Sequence, residues 1–164
     1  DVKTDVPKLL YVGRLKIEKG IFSLISIIKN INIKINLTIV GSGENILKED
    51  LKFIKLTPYL NSKNKLINCY DESNIVVLPS FTEAHPKVVD ESLSRLRPVI
   101  IFNEIRHIIQ DRKGIFVADR NPDSLKEMIF YVLNNYKNIQ QSMKENKLPT
   151  KEIFLKDLGE IIAN

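Results

Sequence analysis

Among 164 residues there is a single cysteine, Cys69, and no tryptophan. A lone thiol excludes an intramolecular disulfide and any cysteine-rich metal cluster, and it fits a reducing compartment. Histidine is nearly as scarce. His85 and His107 stand alone, without the His-x3-His spacing of a metal-binding helix, so no metal site is expected. Long apolar runs are also missing: none approaches the roughly 18–20 residues a membrane span needs, and no signal peptide is expected in this stretch. Glycine is sparse at six residues, and its arrangement excludes two phosphate-binding motifs. Gly-x4-Gly-Lys-Ser/Thr does not occur, and Gly41-Ser42-Gly43 lacks the third glycine of a dinucleotide fingerprint. There is no initiator methionine and a strand pattern begins almost at once, so the chain is expected to be an excised piece of a longer protein.

What is present describes a soluble globular chain, 43% hydrophobic and 27% charged, of a length that suits one domain. The net charge of +5 and a pI near 9.2 favour anionic partners. Nucleic acid, an anionic membrane surface and a phosphorylated small molecule are the classes this admits. The lysines are scattered and no aromatic-basic ladder appears, which sets nucleic acid aside.

Short continuous apolar runs alternate with helical patterns. Strands are expected at Lys8–Val12, 35–40, 53–56, Ile75–Leu78, Val99–Phe102 and 115–117. Between them, helices are expected at about 20–30, 45–51, 62–72, 86–96 and 104–110, with one more opening at Asn121-Pro122 and carrying Leu125, Met128, Ile129, Val132 and Leu133 on one side, and two at about 136–147 and 151–162. Thr57-Pro58-Tyr59 reads as a turn. Asn121 and Pro122 supply a helix cap and a first-turn proline. Strands that are apolar throughout, rather than alternating, are buried on both faces, as in parallel sheets. The fold class is therefore α/β, a Rossmann-like doubly wound parallel sheet of six strands in one domain spanning residues 1–164. In the usual strand order 3-2-1-4-5-6, ligands bind where the order reverses, beyond the carboxyl ends of strands one and four.

Two loops meet there. The first, Gly13-Arg14-Leu15-Lys16-Ile17-Glu18-Lys19-Gly20, carries Arg14 and Lys19. Each alone reads as a solvated surface charge; facing a second anion-ready element, the two converge on one anion as a planar fork and a point charge. The second, Ser80-Phe81-Thr82-Glu83-Ala84-His85-Pro86-Lys87-Val88-Val89-Asp90-Glu91, leads from a strand into a helix. Pro86 suits the first helical position, and the amides after it point outward with partial positive charge. Glu91 lies off the Val89/Leu93/Leu96 stripe and by periodicity alone is a solvated helix glutamate. Glu83, in a loop between apolar elements, is harder to assign to solvent.

The series Gly13-Arg14-Leu15, Lys19-Gly20, Ile39-Val40-Gly41-Ser42-Gly43, Asn74 through Ser80, Glu83-x7-Glu91 and Pro98-Val99-Ile100 resembles the donor-binding C-terminal domain of the retaining GT-B glycosyltransferases of family 4, the group 1 glycosyl transferases. The resemblance covers nearly the whole chain and implies a nucleotide-sugar-binding domain, the C-terminal half of a GT-B architecture. It implies that Glu83 contacts the transferred sugar at the reacting centre and that Glu91 accepts hydrogen bonds from the ribose. Arg14 and Lys19, beside Gly13, match the cationic pair on the diphosphate. The loop His85-Pro86-Lys87-Val88 completes its cradle, and the base lies near Leu56 and Thr57. Such enzymes are generally metal-independent and need no cofactor beyond the UDP- or GDP-sugar substrate.

By the same resemblance, the parent protein would move a hexose to a glycan or lipid-linked acceptor in cell-surface polysaccharide synthesis, with an N-terminal acceptor domain as its partner. The domain by itself is expected to be inactive. Ala84-His85 stand where the family often has Gly-Phe, so Ala84 restricts the loop if that position needs a positive φ. The Gly-Gly pair usual after strand five is replaced by Asn103-Glu104-Ile105-Arg106-His107. A non-catalytic binding member and an epimerase on the same fold stand as alternatives. A cytoplasmic, bacterial protein is expected. Lys144, Lys147, Lys151 and Lys156 read as solvated positions, with peripheral contact to an anionic inner membrane face as the alternative.

Overall fold

The runs that read as buried strands do form a sheet, and every pairing in it is parallel. The computed structural model describes residues 6–43, 52–58 and 62–148. In chain order they form β1 (Lys8–Val12), a 3₁₀ turn at Ile17–Lys19, α1 (Ile21–Asn30), β2 (Asn36–Gly41), β3 (Ile54–Pro58), α2 (Lys63–Glu72) and β4 (Ile75–Leu78). There follow α3 (Lys87–Ser94), β5 (Val99–Phe102), a 3₁₀ segment at Asn103–Ile108, β6 (Ile115–Ala118), α4 (Pro122–Asn134) and α5 (Tyr136–Met143). The six strands lie in the order β3-β2-β1-β4-β5-β6, a Rossmann-like α/β sheet that reverses its winding between β1 and β4.

Helices cover both faces, which is why β4 and β5 carry no polar residue. All of β4 and β5 is buried, and α1 turns Ile21, Leu24, Ile25, Ile27 and Ile28 onto the sheet. On α4 the buried stripe is Leu125, Ile129 and Val132. Each such side chain contributes roughly 1.5–3 kcal/mol relative to exposure. At the start of α4 the Asn121 side chain accepts a bond from the Ser124 N–H at 2.9 Å, with Pro122 in the first turn, as the sequence predicts.

The boundaries shift in several places. Thr57 and Pro58 belong to β3 rather than to a turn: β3 is an edge strand, and a proline at its end costs no ladder bond to a neighbour beyond. Pro86 is extended and precedes the first turn of α3 instead of opening it. That helix stops at Ser94, because Leu96 takes a left-handed φ of 53° and the Arg97 N–H returns to the Ser92 carbonyl at 3.0 Å. The expected helix at 104–110 is a tighter 3₁₀ segment kinked at Ile105, and α5 ends at Met143 rather than 147. The helices expected at 45–51 and 151–162, and Tyr59, lie outside the described residues. Among the described residues no helix is long and apolar enough to cross a membrane.

Candidate functional site

β1 and β4 run side by side, so the loops leaving their carboxyl ends must emerge together. The first loop is anchored across the sheet: the Gly13 N–H donates to the Val40 carbonyl and the Leu15 N–H to the Ser42 carbonyl, both at 3.0 Å. Gly41 permits this approach, since a Cβ there would stand 1.9 Å from the Gly13 oxygen. The loop then winds through its 3₁₀ turn to Gly20, whose φ of 68° ends the turn and begins α1. A Cβ on Gly20 would lie 1.8 Å from the Pro79 carbonyl oxygen, so the two loops touch backbone to backbone. One further bond, Phe81 N–H to the Glu18 carbonyl at 3.1 Å, joins them.

Side chains tie the same junction. Lys19 Nζ donates to Glu83 Oε1 at 2.6 Å, and the buried Ser80 hydroxyl donates to the same oxygen at 2.8 Å. The Lys19 and Glu83 side chains are only 23% and 12% exposed. A charge-assisted bond so sheltered is typically worth roughly 1.5–3 kcal/mol. His107 Nε2 lies 2.7 Å from the Glu83 carbonyl oxygen; a carbonyl can only accept, so that nitrogen carries the proton. Behind the first loop, the buried Tyr11 hydroxyl donates to the Arg14 carbonyl at 2.7 Å. Burial pushes the Tyr11 phenol well above its ordinary range, and the nearby Glu83 carboxylate adds to the shift. The Arg14 side chain is exposed.

The start of α3 is capped by no side chain, which leaves first-turn amides, those of Lys87 and Val88, without an intrahelical acceptor. His85 Nε2 sits 2.9 Å from Asp90 Oδ2, and Asp90 in turn receives Arg112 at 2.7 Å, so His85 turns toward α3. The left-handed residues other than glycine, among those described, are Leu96 and Gln110; Ala84 is not one of them and carries no such strain. Glu91 is exposed, as its place off the apolar stripe predicts, yet it is not free. Tyr70, 2% exposed on α2, donates its hydroxyl to Glu91 Oε2 at 2.7 Å. Burial, and then this bond, push the Tyr70 pKa well up.

Arg120, just beyond β6, has no counterpart among the predicted site residues. Its guanidinium bonds Glu104 through Nε at 2.7 Å and Nη2 at 3.0 Å, and donates to the Pro79 carbonyl at 3.0 Å and the Ser80 carbonyl at 3.4 Å. It also lies over the Phe81 and Phe102 rings, 4.1 and 4.4 Å from their centroids. A single arginine after an apolar strand gives no local signal of such a role. Tyr70 left only a faint one, an aromatic in an otherwise polar helix.

The junction thus gathers Gly13, Arg14, Lys19 and Glu83, with Pro86, Lys87 and Val88 following on the same loop. Leu56 and Thr57 stand apart on the edge strand. Leu56 is exposed, and Thr57 lines a hollow of about 560 Å³ with Lys55, Lys65 and Cys69, beside α2 and away from the two loops.

Residues 1–148 match the model of the family described as glycosyl transferases group 1. The chain belongs to that family. An uncharacterized glycosyltransferase of Methanocaldococcus jannaschii is 29% identical over 149 residues, an overlap of 84% of this chain and 41% of that protein. The group 1 glycosyltransferase fold seen here is also that of sucrose-phosphate synthase from Thermosynechococcus elongatus, with a TM-score of 0.73 at 18% identity, covering 96% of this chain and 45% of that one. Anabaena HepE in complex with UDP superposes with a TM-score of 0.75 at 13% identity, over 98% of this chain and 50% of that one. This glycosyltransferase chain therefore spans half or less of the length of these relatives.

Proposed function

We propose that this domain binds the nucleotide-sugar donor of a retaining glycosyltransferase, in the crevice between the loops that follow β1 and β4. The observation that carries the reading is the junction itself: a cation from the first loop and a sheltered carboxylate from the second meet at 2.6 Å where the sheet reverses its winding. An ammonium has three N–H donors, so Lys19 can keep Glu83 while offering another to a phosphate oxygen. Arg14 supplies a second positive group, and the uncapped first turn of α3 supplies Lys87 and Val88 amides aligned with the helix dipole, behind Pro86 and beside His85. Glu91, steadied by Tyr70, is suited to accept from ribose hydroxyls. The base would lie toward Leu56 and Thr57.

Chemically, the glycosidic bond to the diphosphate breaks as the acceptor hydroxyl attacks from the same face, its oxygen bonding the sugar carbon and its proton passing to the departing phosphate oxygen. Positive charge grows on the sugar and negative charge on the departing diphosphate. Glu83 stabilises the first without forming a bond, while Lys19, Arg14 and the helix end stabilise the second, so no metal is required. In the parent protein the acceptor, a glycan or lipid-linked sugar, would arrive from an N-terminal domain. UDP or GDP is the expected nucleotide.

Isothermal titration of the chain with UDP and with GDP tests this. Binding of one of them, weakened at least tenfold by Glu91→Ala and by Arg14→Ala, is the expected result. Absence of binding by either nucleotide, or variants that bind as the wild type does, would falsify the reading.

A further inference from the structure

The loop that carries Glu83 leaves the sheet through two buried residues, Pro79 and Ser80, whose carbonyls have run past the end of β4. Among the described residues no ladder partner takes them beyond the strand, and a buried carbonyl without a donor costs roughly 1–3 kcal/mol. Arg120 takes both. Its five N–H groups are all accounted for: Nε and one Nη2 hydrogen go to Glu104, one Nη1 hydrogen goes to Pro79, the other faces Ser23 Oγ at 3.4 Å, and the last goes to Ser80. The next residue, Phe81, has its ring under the same guanidinium. Three consecutive residues of the loop, Pro79, Ser80 and Phe81, are therefore fixed from one side chain only 16% exposed. Glu104 fixes that side chain in turn, and pairing with Arg120 holds the Glu104 carboxyl below its ordinary value of 4.5.

We propose that Arg120 is a positioning residue for Glu83. The path is short: Arg120 sets the Ser80 backbone, and the Ser80 hydroxyl donates at 2.8 Å to Glu83 Oε1, the oxygen that also accepts from Lys19. A lysine at position 120 keeps the charge but cannot span Glu104 and two carbonyls at once, because its ammonium is a point rather than a fork. The inference rests on the donor-site reading for the role of Glu83, while the hold of Arg120 on the loop stands on geometry alone.

The test has two arms, run on Arg120→Lys and, as a variant that leaves the arginine in place, Glu104→Gln. In the first, amide hydrogen exchange is followed at Phe81, whose N–H bonds Glu18, and at Leu37, whose N–H bonds Phe53 within the sheet. Phe81 protection is expected to fall at least tenfold with Leu37 unchanged. In the second, affinities for UDP and UDP-glucose, and for GDP and GDP-mannose, are compared. The bare nucleotide should bind within about twofold of wild type, and the extra affinity conferred by the sugar should be lost. Unchanged Phe81 protection overturns the proposal. So does a parallel loss of protection at both amides with equal weakening of both ligands, which marks a merely structural arginine. If the wild-type chain binds none of the four ligands, the donor-site reading fails, and the exchange arm alone decides whether Arg120 holds the loop.

Discussion

Substituting Gly20 by alanine puts the docking of the two loops under direct stress. The added Cβ would stand 1.8 Å from the Pro79 carbonyl oxygen and 2.6 Å from its carbon, where real contacts begin near 3.0 Å. The obstacle is backbone, held at its far side by Arg120, so no side-chain rotation relieves it. Alanine must also adopt the left-handed φ of 68°, at about 1–2 kcal/mol. Overpacking adds roughly 1–3 kcal/mol. The combined loss, roughly 2–5 kcal/mol, is a large part of the ~5–15 kcal/mol that holds a domain folded. For a chain of this size it lowers Tm by on the order of 10 °C. Separation of the loops also breaks the Phe81–Glu18 bond and the Lys19–Glu83 pair, so nucleotide affinity should fall at least tenfold. Urea unfolding and calorimetric titration of the variant read both effects. Stability within about 0.5 kcal/mol of wild type together with unaltered nucleotide binding would refute the claim that the loops are locked at this point.

Four further outcomes are expected. Tyr70→Phe removes the bond to Glu91 and should cost about 1 kcal/mol in urea unfolding while weakening nucleotide binding; unaltered binding would mean that Tyr70 does not steady Glu91. Asn121→Ala uncaps α4 and should lower stability by about 0.5–2 kcal/mol with nucleotide affinity unaffected, since the Asn121 side chain accepts from the Ser124 N–H rather than from either loop. Tyr11, Tyr70 and Tyr136 have pKa values raised from 10.0, chiefly by burial, so the folded state holds their protons more tightly than the unfolded chain. Their contribution is complete below about pH 10 and is lost as pH rises through the folded values; the urea midpoint should drop on alkaline titration, and less steeply in Tyr70→Phe. Finally, dialysis against EDTA should leave nucleotide binding intact, because in the proposed site two cations and a helix end take the place of a metal; recovery of binding only on adding Mg²⁺ would contradict this.

The strands were legible because they depend on local pattern, and their order followed the one usual for a doubly wound sheet. Ile75-Val76-Val77-Leu78 and Val99-Ile100-Ile101-Phe102 have no polar residue to place on a solvated face, so a parallel interior was the physical option. Asn121 and Pro122 announced a helix start by the same local logic. Boundaries that depend on tertiary placement were less visible. Proline at 58 reads as a turn until β3 is known to be an edge, and Leu96 reads as helix until its left-handed backbone is seen. For the site, the loop cations and Glu83 were marked by their place where the winding is expected to reverse, and Glu91 by the family resemblance rather than by periodicity. Their supports were not: Tyr70 and Glu91 are 21 residues apart, and Arg120 lies about 40 from Pro79 and Ser80. Contacts at that range leave no periodic trace in one sequence. His85, expected at the diphosphate cradle, also has a protein partner in Asp90.

The most direct measurement is a crystal structure of the chain soaked with UDP and GDP. The account predicts a diphosphate within hydrogen-bonding distance of Lys19, Arg14 and the first amides of α3, with ribose hydroxyls on Glu91. A nucleotide lodged instead in the hollow lined by Lys55, Lys65 and Cys69, with Lys19 still bound only to Glu83, would contradict it.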